Sequence, residues 1–289
     1  MYDIIKTLRL HHWIKNFLIF IPFLAAHQTV TLDIFKKLLL GFTSISLCAS
    51  SIYIINDLFD LENDKKNLIK KYRPLASGKI SIQRALLIAA ILIITSFFLA
   101  YKLSENNFLF FLTIYFFLSF FYSLILKKFI LIDCITLAIL YTLRIFAGGE
   151  IISIKLSFWL IAFSIFFFIS LAFVKRYVET SLINNKKKVD GRGYYGSDKS
   201  LIKILGINAG YLSVLILALY LNSEIIIKLY KTPEWMWGSL ILVLFWINWI
   251  WFKAHRNEIN YDPVIFSLQD KTSILIIVLL STIFILASN

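Results

Sequence analysis

Long stretches without a single charge recur along the chain, at residues 16–32, 38–56, 85–101, 106–126, 156–174, 204–223, 235–252 and 272–289. A further apolar run, 130–149, carries Asp133 near its start and Arg144 towards its end. A helix needs about 20 mostly apolar residues to cross the hydrocarbon core of a bilayer. The pattern therefore predicts nine transmembrane helices and an all-α membrane protein. No Gly/Pro-rich linker divides the runs, so residues 1–289 read as one domain. Lys6, Arg9 and Lys15 ahead of "NFLIFIPFLAA" have the outline of a signal peptide. Eight more apolar runs follow, and Pro22 interrupts this one, so an uncleaved first span is expected.

Composition agrees with the pattern. Of 289 residues, 59% are hydrophobic and 27 are Phe, whereas only 16% are charged. The formal net charge is +13. With the N-terminus cytoplasmic, 23 of the 30 Lys and Arg side chains fall in the tail and the loops on that side. This bias predicts a multi-pass protein of the inner (cytoplasmic) membrane, N-terminus inside and C-terminus outside. The bases are spread over separate loops, which argues against nucleic acid as a partner. Cys48 and Cys134 suggest neither a metal site nor a disulfide, and His11, His12, His27 and His255 form no ligand pattern. Three loops on the predicted cytoplasmic side, 56–84, 175–203 and 253–271, are long and mixed in sign. Topology does not require their acidic residues, so these loops are where function is expected.

The first reads "NDLFDLENDKKNLIKKYRPLASGKIS", residues 56–81. Asn56, Asp60 and Asp64 are four residues apart. If the helix continues beyond the membrane, each step of four drifts by only about 40° and puts the three on one face. An amide oxygen and two carboxylates are hard ligands suited to Mg²⁺, which is commonly held by one or two carboxylates together with water and substrate phosphates. Asp57 lies one step round. Lys65, Lys66, Lys70, Lys71, Arg73 and Lys79 follow, as cations for phosphate oxygens. Pro74 biases Arg73 out of helix, towards a turn that can face the acids. The competing reading is a solvated helix end in which acids pair with nearby lysines.

This stretch resembles the N-D-x-x-D-x-x-x-D signature of the UbiA superfamily of intramembrane prenyltransferases. The resemblance implies a bundle of nine helices with its active site on the cytoplasmic side. It implies Mg²⁺ held by Asn56, Asp60 and Asp64, and transfer of a prenyl group from an isoprenoid diphosphate. The superfamily's second Asp-rich signature is not matched: the later loop, "FVKRYVETSLINNKKKVDGRGYYGSDKS", has only widely spaced Glu179, Asp190 and Asp198 among its acids. The words "LRLHHWIKNFLIFIP", "KKYRPLASG", "LRIFAGG", "FVKRYVE" and "DPVIFSLQDKTS" are instead similar to the decaprenyl-phosphate phosphoribosyltransferase branch.

That branch implies a different donor, 5-phosphoribose 1-diphosphate, with a polyprenyl phosphate as acceptor. Such substrates need cations at several phosphates, for which Lys15, Lys71, Arg73, Arg144, Lys175 and Arg176 are the candidates. Tyr177 and Glu179 join the substrate-binding set from the "KRYVE" word. Asp262 and Asp270 are expected either to orient cations and ribose hydroxyls or to cap helices. Asp57, Asp60 and Arg73 are the expected catalytic groups. The alternatives are a prenyltransferase acting on an aromatic or other acceptor and, outside catalysis, a lipid-phosphate transporter. A homo-oligomer is left open.

Overall fold

The computed structural model describes residues 2–25, 31–66, 70–103, 106–259 and 262–288. Every regular element among them is helical, with one isolated β-bridge between Lys188 and Tyr195. Among the described residues, eight helices are long and apolar enough to cross a membrane. They are α1 (Leu32–Phe59), α2 (Ile82–Lys102), α3 (Asn106–Leu124), α4 (Ile132–Ile151), α5 (Phe158–Ser181), α6 (Lys199–Leu221), α7 (Trp237–His255) and α8 (Lys271–Ser288). Several start at caps that the sequence supplies. Thr31, Ser81 and Ser157 each accept a hydrogen bond from the backbone N–H three residues on, satisfying a donor that the first turn leaves open. The protein is an all-α, multi-pass membrane protein.

The first expected span is built differently. Arg9, at φ 52°, ends the short Tyr2–Leu8 helix. Leu10–Phe20 then forms a 3-10 helix and Ile21–Ala25 one α-helical turn. The end of the expected span, residues 26–30 with His27, lies outside the described residues. Side chains three apart are eclipsed on a 3-10 helix. Trp13, Asn16 and Ile19 therefore form one row. Trp13 Nε1 donates to Ser50 Oγ at 2.9 Å, and Asn16 Nδ2 donates to Ser46 Oγ at 2.9 Å. Ile19 is fully buried against Gly41 of α1. A polar row that meets the serines of α1 every three residues favours the tighter winding. At about 2.0 Å per residue, such a helix of 11 residues still covers about 22 Å.

The described chain separates into two units, Met1–Lys127 with Leu143–Leu156, and Lys128–Thr142 with Ser157–Asn289. They interleave in sequence, because α4 contributes to both. In the first unit α1 packs on α2 and α3. Its buried face is rich in small residues, Gly41, Ser44, Ser46, Ala49, Ser50 and Ser51, which let helix backbones approach closely. Ser44 Oγ donates to Ser96 O at 2.9 Å and Ser96 Oγ returns a bond to Ser44 O at 2.7 Å. Leu75 and Ile80, from the turn after Arg73, are buried with Ile54 of α1 and with Ala85 and Ala89 of α2. That apolar plug fixes the turn over the end of α1.

In the second unit α5 packs along α6, and α7 packs on α6. Ser170 Oγ donates to Gly206 O at 2.7 Å, and Trp251 lies against Gly206. The segment between α5 and α6 is folded on itself: Gly196 N donates to Lys187 O at 3.0 Å and Val189 N to Tyr194 O at 2.9 Å. Buried Tyr194 accepts a hydrogen bond on its hydroxyl from Leu131 N, 2.9 Å away.

Candidate active site

The acidic signature lies where α1 ends. Asp60, at φ −91° and ψ 6°, caps the helix, and a short helix, Leu61–Lys66, follows. The helical hydrogen bonds carry on through the junction, from Asp60 N to Asn56 O at 2.9 Å and from Asp64 N to Asp60 O at 2.8 Å. Asn56, Asp60 and Asp64, expected on one ligand line, take different partners here. Two steps of four accumulate a drift of about 80°, whereas seven residues close two turns to within about 20°. Asp64 therefore falls in line with Asp57, and the signature divides into two pairs.

The first pair is Asn56 and Asp60. Asn56 Nδ2 donates to Asp60 Oδ2 at 3.1 Å. Lys127, in the 3-10 turn Leu126–Lys128, brings its Nζ to 3.1 Å from Asn56 Oδ1, 3.1 Å from Asp60 Oδ1 and 2.9 Å from Asp60 Oδ2. The second pair is Asp57 and Asp64, with side chains 5% and 3% exposed. Arg73 NH1 donates to Asp57 Oδ1 at 3.0 Å and to Asp64 Oδ2 at 2.6 Å. Arg9 NH2 adds a bond to Asp57 Oδ1 at 2.5 Å. Burial pushes the Asp64 carboxyl above its ordinary value, against the opposing pull of the Arg73 guanidinium.

Among the described residues, no three His, Cys, Asp or Glu side chains gather as a metal-binding group. The donor set at Asn56 and Asp60 nevertheless fits a hard cation. An amide oxygen and a carboxylate already converge on a cationic centre, the Lys127 ammonium, and Mg²⁺ takes the same kind of oxygen. Asp64 is bonded to Arg73.

Other cations of the first unit take distinct positions. Lys71 is exposed, its Nζ 5.2 Å from the centre of the Tyr72 ring. Lys65 pairs with Glu62 at 2.8 Å, as the competing helix-end reading expects. Lys15 is buried. Arg144 is buried within α4. Its Nε donates to Asn16 Oδ1 at 2.7 Å and its NH2 to Tyr115 Oη at 2.8 Å. These neutral oxygens help solvate a charge that a membrane span otherwise makes costly.

The second unit holds another ionic cluster. Arg176, fully buried, brings Nε to 2.9 Å from Asp133 Oδ2 and NH1 against Glu179 Oε2. Arg192 NH1 reaches Asp133 Oδ1 at 3.4 Å. Arg176 is thus an internal counter-ion to two carboxylates, where a contact to substrate phosphate is the sequence expectation. Lys175 Nζ lies 3.8 Å from Asp262 Oδ2, and Asp262 Oδ1 caps the Pro263–Ser267 helix through Val264 N at 3.1 Å. The hydroxyl of Tyr177 lies 2.9 Å from His255 Nδ1. Asp270 caps α8: its Oδ2 accepts from Ser273 N at 2.8 Å, Ser273 Oγ at 2.8 Å and Trp249 Nε1 at 2.9 Å. Burial alone would raise the Asp270 carboxyl, but these bonds outweigh it and hold the group below its ordinary value.

Arg9, Asn16, Lys127 and Arg192 take part in these clusters without having been singled out by motif. Their sequence signal is weak. Arg9 and Lys127 look like ordinary boundary cations, and only distant parts of the chain give them partners. Asp133 does carry a signal, a carboxylate at the start of an apolar run.

Comparison with known proteins agrees with this architecture. The UbiA prenyltransferase family pattern matches residues 17–268. The chain belongs to that family. It is 36% identical over 288 residues to protein y4nM of Sinorhizobium fredii, covering 99% of this chain and 56% of that protein. It is 31% identical over 276 residues to nodulation protein NoeC of Azorhizobium caulinodans, covering 94% and 89%. It is 30% identical over 183 residues to the decaprenyl-phosphate phosphoribosyltransferase of Mycobacterium tuberculosis, covering 62% and 60%. The chain thus spans little more than half the length of the Sinorhizobium relative, and the match to the mycobacterial one covers 60% of that protein. A UbiA homolog from Archaeoglobus fulgidus bound to GPP and Mg²⁺ has the same fold, with a TM-score of 0.73 at 16% identity over 98% of this chain and 99% of that one.

Proposed function

We propose that the protein transfers the 5-phosphoribosyl group of 5-phosphoribose 1-diphosphate to a polyprenyl phosphate and releases diphosphate. The bond from ribose C1 to the diphosphate oxygen breaks, its electron pair leaving with diphosphate. A bond from C1 to an oxygen of the lipid phosphate forms on the opposite face. The lipid phosphate is already anionic near neutral pH, so the step needs no strong base.

The observation that carries this reading is the sorting of the acids. Asn56 and Asp60 form one oxygen cluster that suits a metal. At the end of α5, Glu179 and Asp133 are bound by Arg176 and Arg192. Such a chain is suited to one metal-bound diphosphate with other phosphates met by cations, as the phosphoribosyl donor requires. The similarity to decaprenyl-phosphate phosphoribosyltransferases supports the same donor.

In this reading Asn56 and Asp60 hold Mg²⁺, which when bound supplies positive charge to the departing diphosphate. Arg73 fixes Asp57 and Asp64 and, with Lys71, makes the turn cationic. Arg144 and Lys15 supply positive charge inside the first unit, suited to the lipid phosphate. Asp262 orients Lys175, and Arg176, Glu179 and Tyr177 act by holding the end of α5 in shape.

The second reading, prenyl transfer from an isoprenoid diphosphate, is favoured by the family's name and by the GPP-bound homolog. The two differ in the donor. Membranes containing the protein are incubated with 5-phosphoribose 1-diphosphate labelled in the ribose and with polyprenyl phosphate. The proposal predicts label in the organic phase. Prenyl transfer to an aromatic acceptor without that label would overturn it.

A further inference from the structure

Lys127 stands out among the charges at the end of α1 because of what it touches. Its ammonium has three donors and meets three oxygens, Asn56 Oδ1 and both oxygens of Asp60, at 2.9 to 3.1 Å. Those are the oxygens assigned above to Mg²⁺, and the inference rests on that assignment. The neighbouring pair is held in another way. Asp57 and Asp64 are bound by guanidinium groups of two arginines and are nearly inaccessible. An arginine fork is a directional clamp, whereas an ammonium on a flexible stem is a point charge that exchanges readily. The Asp60 side chain is 29% exposed, whereas that of Lys127 is 10% exposed.

We infer that Lys127 is a built-in competitor for the metal: its ammonium and the divalent cation exclude each other at the Asn56 and Asp60 oxygens. Metal binding then requires the ammonium to leave, and the intrinsic affinity for metal is set low by that exchange. The signature accordingly has two parts with different jobs. Asn56 and Asp60 are the exchangeable part, with Lys127 as their resident counter-ion. Asp57 and Asp64 are the fixed part, tied by Arg9 and Arg73 to the N-terminal segment and to the turn.

Competition has a direction that structural damage does not share. Loss of packing or of a ligand weakens metal binding, whereas loss of a competitor strengthens it. The probe is Mn²⁺ alone, titrated into the purified full chain in detergent and read by the electron paramagnetic resonance of the free ion, without substrate. Lys127→Met is expected to bind Mn²⁺ at least about tenfold more tightly than wild type, since all three contacts of the charged donor go with the ammonium. Lys127→Arg, which keeps the charge and replaces the point charge by a clamp, is expected to bind Mn²⁺ no more tightly than wild type. Asp60→Asn is expected to lose binding.

Unchanged or weaker binding in a Lys127→Met protein that still unfolds cooperatively overturns the inference while leaving the metal assignment in place. Equal binding by wild type and Asp60→Asn, or none by wild type, overturns the assignment and the inference with it. A second measurement uses wild type alone. Modification of Lys127 by a small amine-reactive reagent, followed by mass spectrometry, should rise as Mg²⁺ is added. Reactivity that Mg²⁺ leaves unchanged would count against the exchange even if Lys127→Met does not fold.

Discussion

Asp60 and Asp64 are one helical turn apart and are held by different cations, Lys127 and Arg73. Their substitutions should therefore differ in kind. Asp60→Asn is expected to lower turnover by at least about a hundredfold, as removal of a transition-state charge partner does. Its melting temperature in detergent should fall only modestly, because Asp60 is partly exposed and an amide still offers one oxygen to Lys127 of the Leu126–Lys128 turn. A variant that keeps substantial activity would remove Asp60 from the site.

Asp270 makes a separate prediction about pH. Its carboxyl is held below the ordinary aspartate value of about 4. The charged form is thus favoured by the fold, and its contribution to stability is fully present above that value. It is lost as pH falls from there through the lower folded value. Unfolding followed over an acid pH series should show this loss in wild type. Asp270→Asn, which keeps the shape but not the titrating charge, should show a smaller loss over the same window.

Close approach within an element pair is tested at Gly148. A Cβ there would fall 2.1 Å from Ile19 O, backbone that has no rotamer to move. Gly148→Ala is expected to destabilise the protein by about 1–3 kcal/mol, the usual cost of overpacking, as read from denaturation in detergent. Element by element, the apolar runs made α1 to α8 legible because length and lack of charge suffice to define a span. The 3-10 winding of Leu10–Phe20 was not legible: the row at 13, 16 and 19 acquires meaning only when Ser46 and Ser50 of α1 stand opposite it. The metal signature was legible as a set of residue types. The sharing of its residues between Lys127 and Arg73 is visible only once the fold brings Lys127 to Asn56 and Asp60. Lys127 is separated from Asn56 by 71 positions, and no local pattern links them.

For the whole molecule, the N-terminal segment decides the topology. Eight crossings would leave both termini on one side of the membrane, and nine place them on opposite sides. The bias of Lys and Arg predicts the N-terminus in the cytoplasm and, with Leu10–Ala25 taking part in a ninth crossing, the C-terminus outside. Reporter fusions after Tyr2 and after Ser288 should report opposite compartments. Matching compartments would show that the first segment does not cross.

The most direct test of the central claim remains the identity of the donor. Purified protein in lipid nanodiscs, with Mg²⁺, polyprenyl phosphate and ribose-labelled 5-phosphoribose 1-diphosphate, should form a labelled lipid and release one diphosphate for each ribose transferred. Asp60→Asn should do neither. Turnover of an isoprenoid diphosphate on an aromatic acceptor, with no ribose entering the lipid, would contradict the account.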